Sequence, residues 1–520
     1  MKKIILFVSF LLALHSCSLN TKPDFVTPEE AYTREASVEQ ALYGVYNALM
    51  GQYSRLYTNG IYSYMSISDE FYFISYAATS EMRILSIDAS QLEIQRMWEG
   101  LYQGISRANY LITMVENSGL EGEKVSEMVG EAKFLRGYYY YLLVTNWGAV
   151  PMPLKPTTTP ATSNFLPQSS IADIYAQIIK DMKDAEESVY SIDEQSTNER
   201  ISRTGVQAVL ARVYMSMAGY PLKDVEKNLD AIEYCDKVIE SGQHSLNPNY
   251  QQIFINQIQD ICEPRECIWE VASYGQNLGD KLQAGQLGVE NGISCINEEI
   301  GYSPGYLRAS IYTWQSYDSD ADLRRDWNIA PYRYTQITGT TDVEKKYWDD
   351  GKYWERNCGK WRREYEVGSK ARSYTSTNFP VIRYADVLLM KAEALNEARH
   401  GPTTEAYELV NMVRRRGYGY DIHTPADCDL PEGLTYSGFT DAIRKERLAE
   451  LCFEAVRKPD LLRWGIYVES VQKMGRALRA YFPSNTYYRV GENCTDRNVL
   501  FPIPTSELSL NKNIVQNKGW

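Results

Sequence analysis

Apolar residues recur with helical spacing along most of this 520-residue chain, and this periodicity constrains the fold more than any other feature. Residues three or four positions apart lie on one face of an α-helix, so each such stretch predicts a helix with one buried side. The chain is therefore predicted to be mainly α-helical. The periodic stretches are 38–49, 92–115, 125–144, 171–189, 205–217, 229–239, 382–398, 406–413 and 439–456.

Two pairs of these predicted helices, within 205–239 and 382–413, share a pattern. In each second helix a small residue, Ala231 or Ala406, is followed by apolar residues four and seven positions further on. A small residue at that place lets two helices approach closely. The pattern resembles tetratricopeptide repeats with irregular loops. Ordinary antiparallel helix packing is the alternative interpretation.

Residues 265–377 differ from the helical parts that flank them. This stretch is rich in Gly, Tyr, Trp, Asn and Asp and has only short apolar segments. It predicts an irregular, loop-rich lobe with a few short strands, and long structured loops on a rigid scaffold are where binding sites tend to lie. The predicted organisation is an N-terminal helical part at 29–264, the lobe at 265–377, and a C-terminal helical part with a terminal clip at 378–520.

The N-terminus carries the features of an export signal. Lys2 and Lys3 precede an apolar run at 4–14, which is too short to span a membrane stably. The run leads to Cys17 in a context that resembles a bacterial lipobox, so 1–16 is predicted to be a lipoprotein signal peptide, Cys17 the lipidation site and 17–28 a tether. A plain secretory signal is the alternative. A lipid anchor at Cys17 would attach the mature protein to a membrane without threading it through.

Charge and composition exclude several classes of function. The net charge of −13 argues against nucleic acid as a partner, because phosphate contacts need clustered Lys and Arg. The four His residues lie far apart and neither an HExxH nor a CxxC motif occurs, so we predict no metal and no cofactor. A disulfide between Cys262 and Cys267 is possible in an exported protein.

Acidic and basic residues of the C-terminal part are predicted to be structural. Glu446, Glu450 and Glu454 are spaced four apart, and we expect arginines from neighbouring helices to neutralise them in a partly buried network. Their use as a general acid/base pair is the functional alternative. Arg383 and Asp386 can pair on one helix face. The run 414–416 predicts a helix end with its partners, and 501–504 an extended clip that returns the C-terminus onto the helices.

Short blocks along the whole mature chain carry a family resemblance. They are ALYGVY at 41–46, EAKFLR at 131–136, ARVY at 211–214, PVIRYADVLL at 380–389, AEALNE at 392–397, RWG at 463–465, FPIP at 501–504 and QNKGW at 516–520. In this order, and behind a lipobox, they resemble the SusD/RagB family of Bacteroidetes outer-membrane lipoproteins. Ala455 and Lys458 depart from the residues usual at their places in that family.

The resemblance implies a SusD-like fold and a lipid-anchored, surface-exposed protein of the outer membrane. It implies binding of oligo- or polysaccharide, delivery to a TonB-dependent, SusC-like barrel, and no catalytic activity. Three alternatives stay open: a SusD-like receptor for peptides or glycoproteins, a glycoside hydrolase that uses two carboxylates, and a helical-repeat scaffold whose open groove binds peptides.

Sugar recognition requires aromatic rings on exposed loops, beside polar side chains that bind hydroxyl groups. Two segments have this composition, 53–83 and the lobe. In the resembled family an acid and an arginine near the first segment contact sugar, and Asp69 and Arg83 are the nearest matches. The candidate glycan-binding residues are Asp69, Tyr72, Arg83, Tyr302, Tyr306 and Trp314. No catalytic residue is predicted.

Overall fold

The computed structural model describes residues 32–51, 55–157, 159, 164–274, 284–368 and 370–520. The predicted signal peptide at 1–16, the tether at 17–28 and the lipidation site Cys17 lie outside these residues. Among the described residues, every helix is too short or too polar to span a bilayer.

The prediction of a mainly α-helical chain is confirmed, and the long helices coincide with the periodic stretches. Serine or threonine side chains cap several of them; Ser170, for instance, accepts a hydrogen bond from the Asp173 backbone amide at the start of α4. The helices are α1 (Glu35–Asn47), α2 (Leu92–Ser118), α3 (Glu123–Trp147), α4 (Ile171–Glu186), α5 (Arg203–Ala218), α6 (Lys227–Glu240), α7 (Tyr250–Ile258), α8 (Ile311–Gln315), α9 (Leu323–Asn328), α10 (Tyr384–Arg399), α11 (Thr404–Gly417), α12 (Tyr436–Leu451), α13 (Arg457–Arg463), α14 (Tyr467–Tyr481), α15 (Arg489–Asn493) and α16 (Thr505–Leu510).

Two predicted helix ends differ from the structure. The stretch that was expected to be helical to 456 leaves the helix after Leu451, because Phe453 and Ala455 adopt left-handed backbone conformations with φ of 66° and 59°. The second difference is at the start of the stretch predicted over 382–398, where Ile382 belongs to a strand that leads directly into α10.

The two predicted helix pairs pack as expected. Helices α5 and α6 lie together, as do α10 and α11, and α10 also packs against α6, which joins the two pairs into one stack. The small residues Ala231 and Ala406 are fully buried at these contacts. The tetratricopeptide-like arrangement therefore holds in the part of the chain that the structure describes.

The strands are short and form two-stranded antiparallel sheets. The predicted irregular lobe contains four of the eight described strands, with loops and short helices between them. Strand β1 pairs with β5, β2 with β3, β4 with β8, and β6 with β7. The strands are β1 (Phe71–Phe73), β2 (Val150–Pro151), β3 (Gln168–Ser169), β4 (Cys267–Val271), β5 (Leu307–Ala309), β6 (Tyr332–Gln336), β7 (Val343–Tyr347) and β8 (Phe379–Arg383).

A buried network of ion pairs joins the lobe to the C-terminal helices. Arg383, which is 1% exposed, contacts Glu266, Glu450 and Glu454 at 2.7–2.9 Å. The expectation that arginines neutralise Glu446, Glu450 and Glu454 is thus confirmed. Burial disfavours the ionised form of Glu450, but the arginines around it hold its pKa well below the ordinary value. The prediction that Arg383 pairs with Asp386 is wrong, because each of them has other partners.

Asp386 and the arginine run at 414–416 have other partners. Asp386 lies between Arg212 and Arg447, at 2.6 and 2.8 Å. Desolvation opposes its ionisation, but the two guanidinium groups prevail and lower the pKa of Asp386 to about 2. The three arginines at 414–416 end α11 and each pair with an acid, as predicted for a helix end.

The C-terminal clip is confirmed. Residues 501–504 are buried and lie against the end of α3, where the Trp147 indole donates a hydrogen bond to the Pro502 carbonyl at 3.1 Å. The Phe501 ring lies 5.3 Å from the Trp147 ring. Elsewhere, Cys262 and Cys267 are free, so the possible disulfide between them is absent.

Candidate functional site

Segment 53–83, expected to be an exposed loop, lies mostly in the interior. Its described part contains a π-helix (Leu56–Met65) in which every residue is buried, followed by strand β1. Its tyrosines use their hydroxyl groups inside the protein: the Tyr57 hydroxyl bonds that of Tyr138, and Tyr62 donates to the Thr58 carbonyl at 2.8 Å. Among the described residues of the segment, which exclude Tyr53, Tyr76 is the one exposed aromatic, so the expectation of exposed aromatics is corrected for the others.

Three of the candidate residues in this segment are buried and have protein partners. Asp69 is 6% exposed and accepts two hydrogen bonds from the Arg457 guanidinium, at 2.8 and 2.9 Å. The Tyr72 hydroxyl donates to the Trp354 carbonyl. Arg83 pairs with Glu290 at 2.6 Å and its guanidinium lies 4.7 Å from the Phe73 ring. We therefore assign Tyr72 and Arg83 to the interior rather than to a sugar contact.

Asp69 lies beside a groove, whereas Tyr72 and Arg83 line only a cavity of about 10 Å³. The groove measures about 270 Å³ and is bordered by Tyr312 and by the basic side chains of Arg444, Lys445 and Lys473. The bidentate pair with Arg457 already occupies both oxygens of the Asp69 carboxylate. A hydroxyl group in this groove would have to compete with that pair.

The pairing of β1 with β5 brings the two predicted segments together. Tyr72 lies opposite Arg308 in this sheet, and the Ile74 amide donates to the Tyr306 carbonyl at 2.9 Å. The short 3₁₀ helix Ser75–Thr79 follows β1 directly. This connection places Tyr76 beside Tyr306, although 230 positions separate them in the sequence.

Tyr76 and Tyr306 form an aromatic ledge, which we call the Tyr76–Tyr306 pair. Tyr76 is 67% exposed, and its ring centroid lies 4.7 Å from that of Tyr306 with the planes at 75°. Such edge-to-face contacts stabilise ring orientation. Burial and a hydrogen bond with Tyr76 raise the pKa of Tyr306. The pair offers a flat apolar face beside hydroxyl donors.

Tyr302 and Trp314 are partly buried and already contacted by arginines. The Arg372 guanidinium lies 3.8 Å from the Tyr302 ring centroid. The Trp314 ring stacks on Tyr353 at 4.3 Å, and two guanidinium groups, those of Arg325 and Arg356, each lie 4.6 Å from it. Cation–π contacts of this kind hold rings in place. Trp314 thus presents less free ring surface than Tyr76.

The remaining aromatics of the lobe divide into interior and surface residues. Trp327 and Trp354 are 1% and 5% exposed and pack in the core. On the β6–β7 hairpin, Tyr347 is 65% exposed and Trp348 is covered by the Arg333 guanidinium at 4.2 Å. Neither Tyr347 nor Tyr76 is among the candidate residues predicted from the sequence. A lone tyrosine among small residues, Ser-Tyr-Ala-Ala-Thr at 75–79, was the available signal for Tyr76.

Among the described residues, acidic, histidine and cysteine side chains form no cluster of three or more that could hold a metal ion. The row of Glu446, Glu450 and Glu454 is buried and engaged by Arg324, Arg383 and Lys360. All three carboxylates have arginine or lysine partners; Glu454, which also borders a cavity, is held by Arg383 and Lys360.

Comparison with known proteins places the whole chain in one group. The model of a family described as the SusD family matches residues 308–520, and a second, described as starch-binding associating with outer membrane, matches residues 18–215. A solved structure of a SusD homologue from Bacteroides thetaiotaomicron superposes with a TM-score of 0.87 at 29% identity, covering 95% of this chain and 98% of the homologue.

Two curated relatives are similar along most of their length. SusD-like protein P25 of Formosa agariphila is 25% identical, over 99% of this chain and 98% of the relative. The starch-binding protein SusD of Bacteroides thetaiotaomicron is 22% identical, over 84% of this chain and 81% of the relative.

Proposed function

This chain belongs to the SusD/RagB family of Bacteroidetes, and from that membership we propose that it binds oligo- or polysaccharide at the cell surface without transforming it. The observation that carries the proposal is the Tyr76–Tyr306 pair, an exposed ring held edge-on by a second ring. The ring face of Tyr76 suits the apolar face of a pyranose, and the two phenols can bind its hydroxyl groups.

A relative's name supports the same class of ligand. One curated relative is a starch-binding protein, and one of the two matching family models is described by starch binding. At 22% identity the particular polysaccharide does not transfer to this chain. We propose the ledge, with Tyr302 and Trp314 as its neighbours in the lobe, as the place where the glycan lies.

We infer a non-catalytic role from the state of the carboxylates. A glycosidase needs two acids that face a cleft, one of them with a pKa tuned toward neutrality. The spaced glutamates of α12 instead form buried ion pairs, which hold the pKa of Glu450 well below its ordinary value. An acid kept ionised and enclosed in this way cannot protonate a leaving group.

The proposed setting is the outer membrane. We propose that acylation of Cys17 anchors the protein there, facing outward, and that a TonB-dependent, SusC-like barrel receives the bound oligosaccharide. The family description of association with the outer membrane supports the location. A peptide or glycoprotein cargo is the alternative for the same surface, because aromatic rings and phenols also bind peptides.

Affinity electrophoresis through gels containing single polysaccharides tests the binding surface. We expect at least one polysaccharide to retard the wild-type protein and Tyr76→Ala to abolish most of that retardation, since loss of a stacking ring removes the main apolar contact. Tyr43→Ala is the matched control, because Tyr43 is 53% exposed on α1 and lies outside the ledge.

Two results would contradict the proposal. Equal retardation of wild type and Tyr76→Ala by every retarding polysaccharide would remove the ledge as the site. Absence of retardation across the panel, together with binding of a peptide library, would favour the peptide-receptor alternative. Release of sugar products, followed by chromatography, would show catalysis instead.

A further inference from the structure

A cavity of about 780 Å³ lies on a different part of the molecule from the ledge. It is enclosed by α3, α5, α13, α14 and the π-helix, and its surface is mainly apolar, with Ile61, Met65 and Val468 among its lining residues. The cavity opens to solvent at its rim, which includes the exposed residues Tyr220 and Val499. A volume in this range accommodates a small organic ligand.

Lys458 lines this cavity and carries a charge that the protein leaves without a counter-ion. Its side chain belongs to a residue that is 3% exposed, and no described residue gives it a hydrogen bond or an ion pair. The ring centroids of Phe501 and Tyr467 lie 4.3 and 5.5 Å from the ammonium nitrogen. Burial lowers the pKa of Lys458 to about 8, so most of the side chain is still protonated at neutral pH.

The other buried charges that line the cavity are already balanced within the protein. Each has at least one oppositely charged partner at 2.9 Å or less, which leaves Lys458 as the uncompensated cation among the described residues of the lining. The pairs are Arg212 with Asp386, Asp460 with Arg447 and Arg463, and Glu454 with Arg383 and Lys360. Two exposed acids, Glu469 and Asp496, also belong to the lining and form no ion pair among the described residues.

A second polar group of the lining also lacks a partner. The Tyr467 hydroxyl is buried and makes no hydrogen bond among the described residues. A buried hydroxyl without a hydrogen bond destabilises the protein, and an unpaired buried ammonium does so more strongly. The Lys458 ammonium lies over the Tyr467 ring, 5.5 Å from its centroid, whereas the Tyr467 hydroxyl itself has almost no accessible surface. Lys458 is therefore the group of this lining that a ligand can satisfy.

We propose that this cavity binds an organic monocarboxylate with an apolar body, whose carboxylate pairs with Lys458. The unpaired charge selects an anion, and the apolar lining receives the rest of the molecule. The proposal does not depend on glycan binding, because it uses none of the residues of the Tyr76–Tyr306 pair.

Isothermal titration of the purified protein with three probes tests the proposal. Decanoate represents an aliphatic acid, 4-phenylbutyrate an aromatic acid, and decylammonium has the chain of decanoate with the opposite charge. We expect at least one acid to bind, and decanoate to bind wild type at least about tenfold more tightly than decylammonium does. Equal affinity for decanoate and decylammonium, or binding of neither acid, would overturn the proposal.

One substitution examines the assigned residue. Lys458→Met keeps the length and apolar stem of the side chain, and we expect it to weaken binding of the acid at least about 30-fold, as loss of a buried charge partner does. Unchanged affinity in Lys458→Met would overturn the proposal, and the comparison of probes on wild type decides the question if that variant does not fold.

The same variant separates a binding role from a structural one. Removing an unpaired buried charge should raise the melting temperature of the free protein, so Lys458→Met is expected to melt higher than wild type. A lower melting temperature combined with unchanged acid binding would show that Lys458 is a structural residue. Tyr76→Ala should leave acid binding unchanged, which keeps failure of this proposal distinct from failure of glycan binding.

Discussion

Glu70 is the residue where burial and ionisation conflict most directly. It is fully buried, one of its oxygens accepts a hydrogen bond from the Phe453 amide at 3.0 Å, and the other has no hydrogen-bond partner among the described residues. Desolvation outweighs the attraction of Arg457 and raises the pKa of Glu70 to about 8. At neutral pH the folded protein therefore holds this carboxyl in its protonated form.

The sign of the resulting pH dependence follows from linkage. Because the folded pKa of Glu70 exceeds the unfolded value of about 4.5, the protonated group favours folding fully below pH 4.5, and this contribution is lost as the pH rises toward 8. Glu70→Gln mimics the protonated form. We expect it to gain roughly 2–4 kcal/mol of stability relative to wild type between pH 5 and pH 8, measured by urea unfolding at both values.

An exposed carboxylate provides the control for this measurement. Glu298 is about half exposed and pairs with Arg372 at the surface, so Glu298→Gln should show no such gain. A stability difference between Glu70→Gln and wild type that stays constant from pH 5 to pH 8 would contradict the assignment of Glu70 as a protonated buried acid.

Residue type alone could not identify the candidate site. The chain has 41 tyrosines, and a phenol can satisfy its hydroxyl inside the core as readily as at a surface, as Tyr57 and Tyr62 do. Tyr72 and Arg83 were likewise predicted at the binding surface, because the partners that hold them in the interior lie far away in sequence. Tyr76 differs from them in its sequence neighbours, which are the small residues Ser75, Ala77 and Ala78, and its ring packs only edge-on against Tyr306 and stays 67% exposed.

At the scale of elements, the sequence predicted the helices well and the local exceptions poorly. Periodicity and caps are local signals, so the bounds of α2, α3 and α4 agree with the apolar stretches within a few residues. The π-helix was not predicted, because its ten buried residues include polar ones that break the usual apolar spacing. The short strands were predicted only as a class, since their pairing partners are remote in sequence.

Close packing between α2 and α3 depends on a glycine. A Cβ atom added at Gly104 would lie 2.3 Å from a ring atom of the buried Tyr139, so Gly104→Ala forces one helix away from the other. We expect this substitution to cost about 1–3 kcal/mol by chemical denaturation, as overpacking of a core does. Gly44→Ala on α1 is the control, because nothing lies within 4 Å of an added Cβ there. It should be neutral or stabilise by up to about 1 kcal/mol. Equal effects of the two substitutions would contradict the close-contact explanation.

On the scale of the molecule, the three predicted parts share their interior. One hydrophobic cluster runs from Val38 on α1 through Trp269 and Trp361 of the lobe to Ile514 near the C-terminus. The clip ties the end of the chain to α3, and Arg383 ties β4 and its neighbour Glu266 to α12. Composition separated the lobe from the helical parts in the sequence, but it contains no information on these long-range contacts. The proposed ledge is itself one of them, since it exists only through the β1–β5 pairing.

A shared interior predicts that the helical parts and the lobe unfold together. In hydrogen-exchange mass spectrometry at rising urea concentration, we expect peptides from α3, from β4 and from α12 to lose protection at a single midpoint. The β6–β7 hairpin, which packs on a separate small cluster with Ile293, should exchange at lower urea.

Arg383→Gln leaves three buried carboxylates with one cation fewer and should shift the common midpoint by the equivalent of about 3–5 kcal/mol in all three peptides. Arg372→Gln, which breaks an exposed pair, should leave the midpoint in place within about 0.5 kcal/mol.

Separate midpoints for the lobe and the helices in wild type would mean that the lobe is an independent folding unit. In that case the ledge, with Tyr76 on one side and Tyr306 on the other, would open whenever the lobe does, and glycan retention would fall at urea concentrations that leave the helices intact.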